Sequence, residues 1–370
     1  MKKILILANN DVGLYKFRKE LIRELLKEHE VYISLPNGDY VEHLKRLGCN
    51  FMETPLNRRG MNPFQDLSLL MKYVKIIKEI KPDVVLTYTI KPNIFGGVAC
   101  RINKTTYFPN VTGLGTAFEK KGLMQRIILF LHQIAFKKAK NIFVQNIENK
   151  KFLELNGIIN KNGKLIPGSG VNLEEYSLLE YPEEEEINFV FISRIMKEKG
   201  IDYYLNAAKA IKSKYPKTSF HVCGFCEEDY SDILKDYEDR GIIKYHGMVT
   251  DIQSLLRKMH CTVHPTYYPE GMSNVLLESA SSGRPIITTN RSGCREIVDD
   301  GVNGYLVMQR NTKDLIDKIE KFLNKSKEEK QQFGLEGRRK VEKEFDREIV
   351  INAYISEIEL IGEYFNGKTY

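Results

Sequence analysis

The chain has 370 residues, more than one hydrophobic core usually serves, so two domains are expected. Hydrophobic residues make up 42% and charged residues 28%, which excludes a disordered or fibrous chain. The net charge of +7 is unevenly spread: residues 1–170 carry 28 Lys/Arg against 14 Asp/Glu, and the remainder 28 against 35. A strongly basic first half should be drawn to polyanions such as phosphorylated substrates, nucleic acid or an anionic membrane face.

The start, MKKILILANND, carries an apolar run of five residues that ends at Asn9-Asn10-Asp11, which suits a buried first strand better than a secretion signal. No apolar run reaches the ~20 residues of a membrane-spanning helix; the stretch from Ile127 to Phe136 is interrupted by His132 and Gln133. Cysteines at 49, 100, 223, 226, 261 and 294 are scattered, so reduced thiols and a cytoplasmic setting are expected.

KILILA (3–8) reads as a strand, Tyr15 to Glu28 as an amphipathic helix, and VYISLP as a second strand. VVLTY after Pro82-Asp83 and, later, IFVQN continue the strand–helix alternation of a parallel sheet covered on both faces. The Pro/Gly/Ser-rich and then acidic stretch over 167–187 reads as a linker with a solvated acidic run. Beyond it come INFVFISRI, a helix from about Gly200 to Tyr215, SFHVCGF and IIKYHGMV. A helix over Ile252–Met259, CTVHPTY, a helix over Asn274–Ser282 and PIITTN follow, with a long helical segment from about Glu328 to Phe365. The fold class is α/β: two doubly wound parallel sheets facing across a cleft, with ligands at the carboxyl ends of the strands.

Three segments carry chemistry. In HPTYYPEGMSNVLLE, Glu270 lies in a loop after a strand and Glu278 on the following helix. The amides at Gly271, Met272 and Ser273 open that helix and suit an anion, while the carboxylates suit sugar or ribose hydroxyls. In SRIMKEKG, Arg194 ends a strand and Lys199 opens a helix; two cations there suit a diphosphate. In ANNDVGLYKFR, Gly13 before a helix would let backbone approach a phosphate or sugar, although the turn is not G-x-G-x-x-G.

Together these strings, with SGRPIITTNRSGCREIVDDGVNGYLV, resemble the GT-B retaining glycosyltransferases of family 4 over essentially the whole chain. The resemblance implies an acceptor-binding domain over 1–167, onto which a helix of about 346–370 packs back, and a nucleotide-sugar domain over 168–345. It implies that Arg194 and Lys199 hold the donor diphosphate and Glu278 the ribose. Glu270, with the amides of Gly271, Met272 and Ser273, would hold the transferred sugar. Met248, in HGMVTD, would lie at the nucleobase, and Gly13 at the diphosphate. Arg194, Lys199 and Glu270 are the catalytic candidates. Thr112 stands where many relatives carry histidine, so no histidine contact is carried over. YKFRKELI, RRGMNPF and VTGLGT are similar to the enzymes that extend bacterial lipid-linked oligosaccharides, which makes Arg58, Arg59, Lys91 and Thr112 candidate acceptor contacts. The expected partners are a UDP-sugar and a lipid-diphosphate-linked saccharide, as in capsule or lipopolysaccharide synthesis, and no nucleic acid.

No Asp-x-Asp triplet occurs, so neither metal nor other cofactor is expected. The Cys223–Cys226 pair lacks the further ligands of a zinc site. The segment 119–141 places Leu123, Ile127, Ile128, Leu131, Ile134 and Ala135 on one helical face flanked by lysines and Arg126. That face either packs on its own sheet or lies peripherally on an anionic membrane. A UDP-sugar epimerase and a non-enzymatic polyanion binder are the alternatives.

Overall fold

The computed structural model describes residues 1–57, 60, 62–115 and 122–366. They form two compact units, Met1–Ser169 with Glu348–Tyr370, and Gly170–Arg347.

The first unit is built on seven parallel strands: β1 (Lys3–Leu7), β2 (Glu30–Leu35), β3 (Asn50–Glu53), β4 (Val84–Tyr88), β5 (Thr106–Val111), β6 (Ile142–Val144) and β7 (Gly163–Leu165). Their order in the sheet is β3-β2-β1-β4-β5-β6-β7. Because side chains alternate across a strand, the uninterrupted apolar run of β1 feeds both faces. Ile4 and Ile6 join a cluster with Leu14, Leu21 and Leu25 of α1 (Asp11–Leu26). Leu5 and Leu7 join the opposite cluster, with Tyr73 and Ile76 of α3 (Pro63–Ile80) and Ala135 of α5 (Leu123–Phe136). Between β4 and β5 lie a π-helical turn, Pro92–Gly96, and α4 (Gly97–Asn103). Helices α2 (Val41–Leu47) and α6 (Ile147–Leu155) also belong to this unit.

The second unit holds six parallel strands: β8 (Ile187–Ile192), β9 (Thr218–Cys223), β10 (Lys244–Tyr245), β11 (Cys261–His264), β12 (Ile286–Thr289) and β13 (Gly304–Val307). Their order is β10-β9-β8-β11-β12-β13. Phe189 and Phe191 of β8 pack with Tyr204 and Leu205 of α7 (Ile201–Lys214) and with Leu315 and Ile319 of α11 (Thr312–Leu323). Val190 and Ile192 face the other way, toward Leu256 of α9 (Ile252–Arg257). The other helices are α8 (Ser231–Asp239), α10 (Asn274–Ser281) and α12 (Lys327–Glu344). In this sheet β8 and β11 are neighbours whose following strands lie on opposite sides, so the strand order reverses between them. Such a reversal leaves a crevice at the carboxyl ends, where ligands of open α/β sheets bind.

The helical segment over 328–365 is two helices rather than one. After α12 the chain breaks at Phe345-Asp346, where Asp346 bridges to Val171, and α13 (Arg347–Asn366) continues within the first unit. There Val350, Tyr354 and Ile358 enter the β1 cluster, and the Tyr354 ring centroid lies 4.2 Å from that of Phe143, the rings tilted by 38°. The Pro/Gly/Ser-rich stretch is not a loose linker. The fully buried Arg284 guanidinium donates to the carbonyls of Glu180 (2.7 Å), Leu179 and Leu256. Arg338 donates to the carbonyl of Tyr176 (2.8 Å), so both arginines bind this stretch to the second unit.

Candidate active site

The reversal point of the second sheet gathers most of the sequence-derived candidates. Arg194 leaves the end of β8, and Lys199 closes a single 3-10 turn, Lys197–Lys199. That turn ends at Gly200 in the left-handed region (φ +84°), where a Cβ would lie 2.1 Å from the carbonyl oxygen of Pro265. Glycine therefore lets the β8 loop press against the end of β11 and carries Lys199 beside Glu270. Lys199 is 8% exposed, and its ammonium pairs with the Glu270 carboxylate. Arg194 Nη1 lies 3.0 Å from Glu227 Oε2.

Glu270 is braced from a third loop. At Gly293 (φ +89°) a Cβ would meet the Glu270 Cβ at 2.7 Å, so the two loops touch only because this residue has no side chain. The Gly293 N–H donates to Glu296 Oε2 (2.7 Å), and the Gly293 carbonyl accepts the Ser273 N–H (2.8 Å). The Ser273 amide, expected to face the sugar, is thus already spent inside the loop. Met272 is core: its side chain packs with Leu276, Leu277 and Cys294. Glu278 sits half-buried on α10 beside Tyr176, whose phenol is pushed up by burial and then by the hydrogen-bonded Glu278 carboxylate. Met248 follows β10 with its side chain 63% exposed. His264, at the end of β11, is held down to about 3 by burial and then by Lys199, so it stays neutral.

Two family models match the chain: "Glycosyl transferases group 1" over residues 180–340 and "Glycosyl transferase 4-like" over residues 3–146. The chain belongs to the group 1 glycosyltransferases. This glycosyltransferase is 26% identical to the N,N'-diacetylbacillosaminyl-diphospho-undecaprenol alpha-1,3-N-acetylgalactosaminyltransferase of Campylobacter jejuni, over 88% of this chain and 90% of that one. It is 27% identical to the capsular polysaccharide biosynthesis glycosyltransferase CapM of Staphylococcus aureus, over 94% and 93%. Its fold matches that of Anabaena Alr3699/HepE, solved in complex with UDP-glucose, with a TM-score of 0.80 at 19% identity over 97% and 99% of the two chains. The fold is GT-B, as expected from the sequence.

In the first unit of the glycosyltransferase the remaining candidates, Gly13 for the diphosphate and the expected acceptor residues, have different surroundings. Gly13 is not ahead of a helix but within the first turn of α1, and its N–H donates to the Asn10 side chain (2.6 Å). A Cβ would sit 2.9 Å from that same oxygen, so the glycine makes room for a helix cap, and its amide is committed to the cap. Lys91, just before the π-helical turn, pairs with Asp66 at 2.6 Å, both side chains largely buried. Thr112 follows β5, half-buried. Arg58 and Arg59 lie outside the described residues. Among the described residues no group of three His, Cys, Asp or Glu could hold a metal ion, and no helix is long and apolar enough to cross a membrane.

Sequence reading did not find Glu227, Glu296, Tyr176 or Tyr268. Each reaches the site from a different loop, and none carries a spacing signal. Glu296, inside the SGCRE string, and Tyr268, inside HPTYYPEGMSNVLLE, stood in flagged segments without being singled out.

Proposed function

We propose that this glycosyltransferase moves a hexose, N-acetylhexosamine or uronic acid from a UDP-sugar to a lipid-diphosphate-linked saccharide, with retention of configuration, in surface polysaccharide assembly. The observation that carries this reading is the buried Lys199–Glu270 pair at the strand reversal, with Arg194 on the same rim. Lys199 and Arg194 would hold the donor diphosphate, Glu278 the ribose hydroxyls, and Glu270 with the Gly271 and Met272 amides the sugar. Met248 would lie at the base. In the first unit Lys91 and Thr112 would meet the acceptor, whose relatives' substrates include a polyprenyl-diphosphate saccharide.

In the transfer step the acceptor oxygen attacks C1 on the face that the diphosphate leaves. The C1–O bond breaks with its electron pair going to the diphosphate, and the acceptor proton passes to a phosphate oxygen. The protein's part is to place fixed positive charge where the leaving group gains negative charge, which is commonly the largest single catalytic contribution. No metal is needed for that role if both cations serve it, and activity is expected to survive EDTA.

Peripheral contact with the inner face of the membrane fits α5. Its inner face buries His132, Ala135 and Phe136, while Leu123, Met124, Ile127 and Phe130 remain exposed. A helix with that outer stripe, in a strongly basic half, suits an anionic interface. Co-sedimentation with phosphatidylglycerol vesicles is expected, and loss of it in Ile127→Ser/Phe130→Ser would locate the contact.

The donor reading is tested by a thermal-shift screen of nucleotide sugars. One UDP-sugar should raise Tm well above the others, because a ligand that binds only the folded chain stabilises it. A response to GDP- or CMP-sugars alone would overturn UDP as the carrier.

A further inference from the structure

Tyr268 lies two residues before Glu270, in the loop after β11, and its amide donates to Thr266 Oγ1 at 3.1 Å. The Arg194 guanidinium carbon stands 5.4 Å from the centroid of its ring and the Lys199 ammonium 4.8 Å from it. One aromatic ring is therefore shared by both cations assigned to the diphosphate. These cations come from the β8 side of the reversal point, whereas the tyrosine comes from the β11 side.

Two positive groups drawn to one place repel each other, and each already holds a carboxylate: Glu227 for Arg194 and Glu270 for Lys199. A donor diphosphate must take hydrogen bonds from those same cations, and Glu270 must let go of Lys199 to reach the sugar. A carboxylate competes for the N–H donors that the phosphate needs. The face of an aromatic ring does not: it attracts the cation through its quadrupole and leaves the N–H groups to point elsewhere. The ring also supplies negative potential to both cations at once, which offsets their mutual repulsion.

The geometry points to Tyr268 as a positioning residue of the donor site. It holds Arg194 and Lys199 together through its ring face, so that the diphosphate meets cations already in place when Glu270 changes partner. This rests on the donor reading above and goes beyond it, because Tyr268 acts on the diphosphate only through the two cations. Its hydroxyl is not needed for the role; the ring is.

The test measures dissociation constants of the full chain for UDP and for uridine by NMR titration, in Tyr268→Leu, Tyr268→Phe and Lys199→Ala. Tyr268→Leu is expected to weaken UDP about tenfold, from loss of two cation–ring contacts, and to leave uridine within about twofold. Tyr268→Phe should bind UDP within about twofold of the parent, since it keeps the ring. Equal losses for UDP and uridine would mean that the leucine variant merely disturbs the fold, and would overturn the inference. So would a Tyr268→Phe loss as large as that of Tyr268→Leu, which would assign the effect to the hydroxyl. If Lys199→Ala weakens UDP while Tyr268→Leu does not, this inference alone falls. If Lys199→Ala binds UDP like the parent, the diphosphate assignment itself falls.

Discussion

Both units have the same kind of strand-order reversal, between β1 and β4 in the first and between β8 and β11 in the second, yet they use it differently. In the second unit the reversal point collects charge: Lys199 against Glu270, Arg194 against Glu227, and Tyr268 beside both cations. In the first unit the loop after β1 satisfies itself. Asn10 caps α1, the Asp11 carboxylate accepts the Tyr40 N–H (2.7 Å), and Lys91 is tied to Asp66. Topology thus fixes where a ligand can sit. A few loop residues decide whether the place is armed for a diphosphate or left to bind something less charged.

The comparison can be broken most directly by removing one cation from each unit. Lys199→Ala is expected to lower kcat by about two orders of magnitude or more, the usual cost of losing one preorganised donor to a developing anion. Lys91→Ala should leave UDP affinity unchanged and raise only the KM for the acceptor. Loss of UDP binding in the Lys91 variant would show that the two reversal points share the donor. Glu278→Ala sharpens the second site: KM for the donor should rise about tenfold or more, the scale of a hydrogen bond to a charged group. The rise should shrink for a donor that lacks the ribose hydroxyls.

Stability separates the two loops next. Gly200→Ala combines a left-handed backbone with a Cβ driven into the Pro265 carbonyl, and is expected to cost about 1–3 kcal/mol and to lower Tm. Asn10→Ala removes only a helix cap and should cost about 1 kcal/mol in denaturant titration.

The effect of pH separates the units only on acidification. Burial holds His221 and His260 down to about 4 and His264 down to about 3 in the second unit, and His132 down to about 4 in the first. In an unfolded chain these imidazoles titrate near ~6.5. Below that value the unfolded chain takes up protons that the folded chain refuses, so stability present at neutral pH is lost as pH falls toward about 4. The second unit should therefore lose Tm faster on acidification than the first, and equal slopes in calorimetry would contradict this.

The sheets were legible because their strands are buried on both faces and read as apolar runs between turn residues. VVLTY and INFVFI are such runs, and the structure places β4 and β8 on them. IIKYHGMV yielded only the two-residue β10, since an edge strand has one neighbour to pair with. The break between α12 and α13 was hidden because Phe345 and Asp346 do not interrupt the helical pattern; their pairing with Val171 comes from a residue far away in the chain. At the site, Arg194, Lys199, Glu270 and Glu278 were singled out through strings whose order matters. The Asn10 cap over Gly13 was not legible, because a glycine that makes room for a cap looks, in sequence, like one that makes room for a phosphate. Tyr268 adjoins the flagged glutamate, but a ring's preference for cations from another loop has no linear signature.

Arg284 has a mechanical consequence. Its planar fork reaches two distant stretches of chain at once, Leu179–Glu180 and Leu256, and a lysine, with one point of attachment, could not replace it. Residues 176–181 therefore move with the second sheet. A protease should find that stretch resistant in the parent and cleavable in Arg284→Lys, while the acidic residues just beyond it stay in solvent in both.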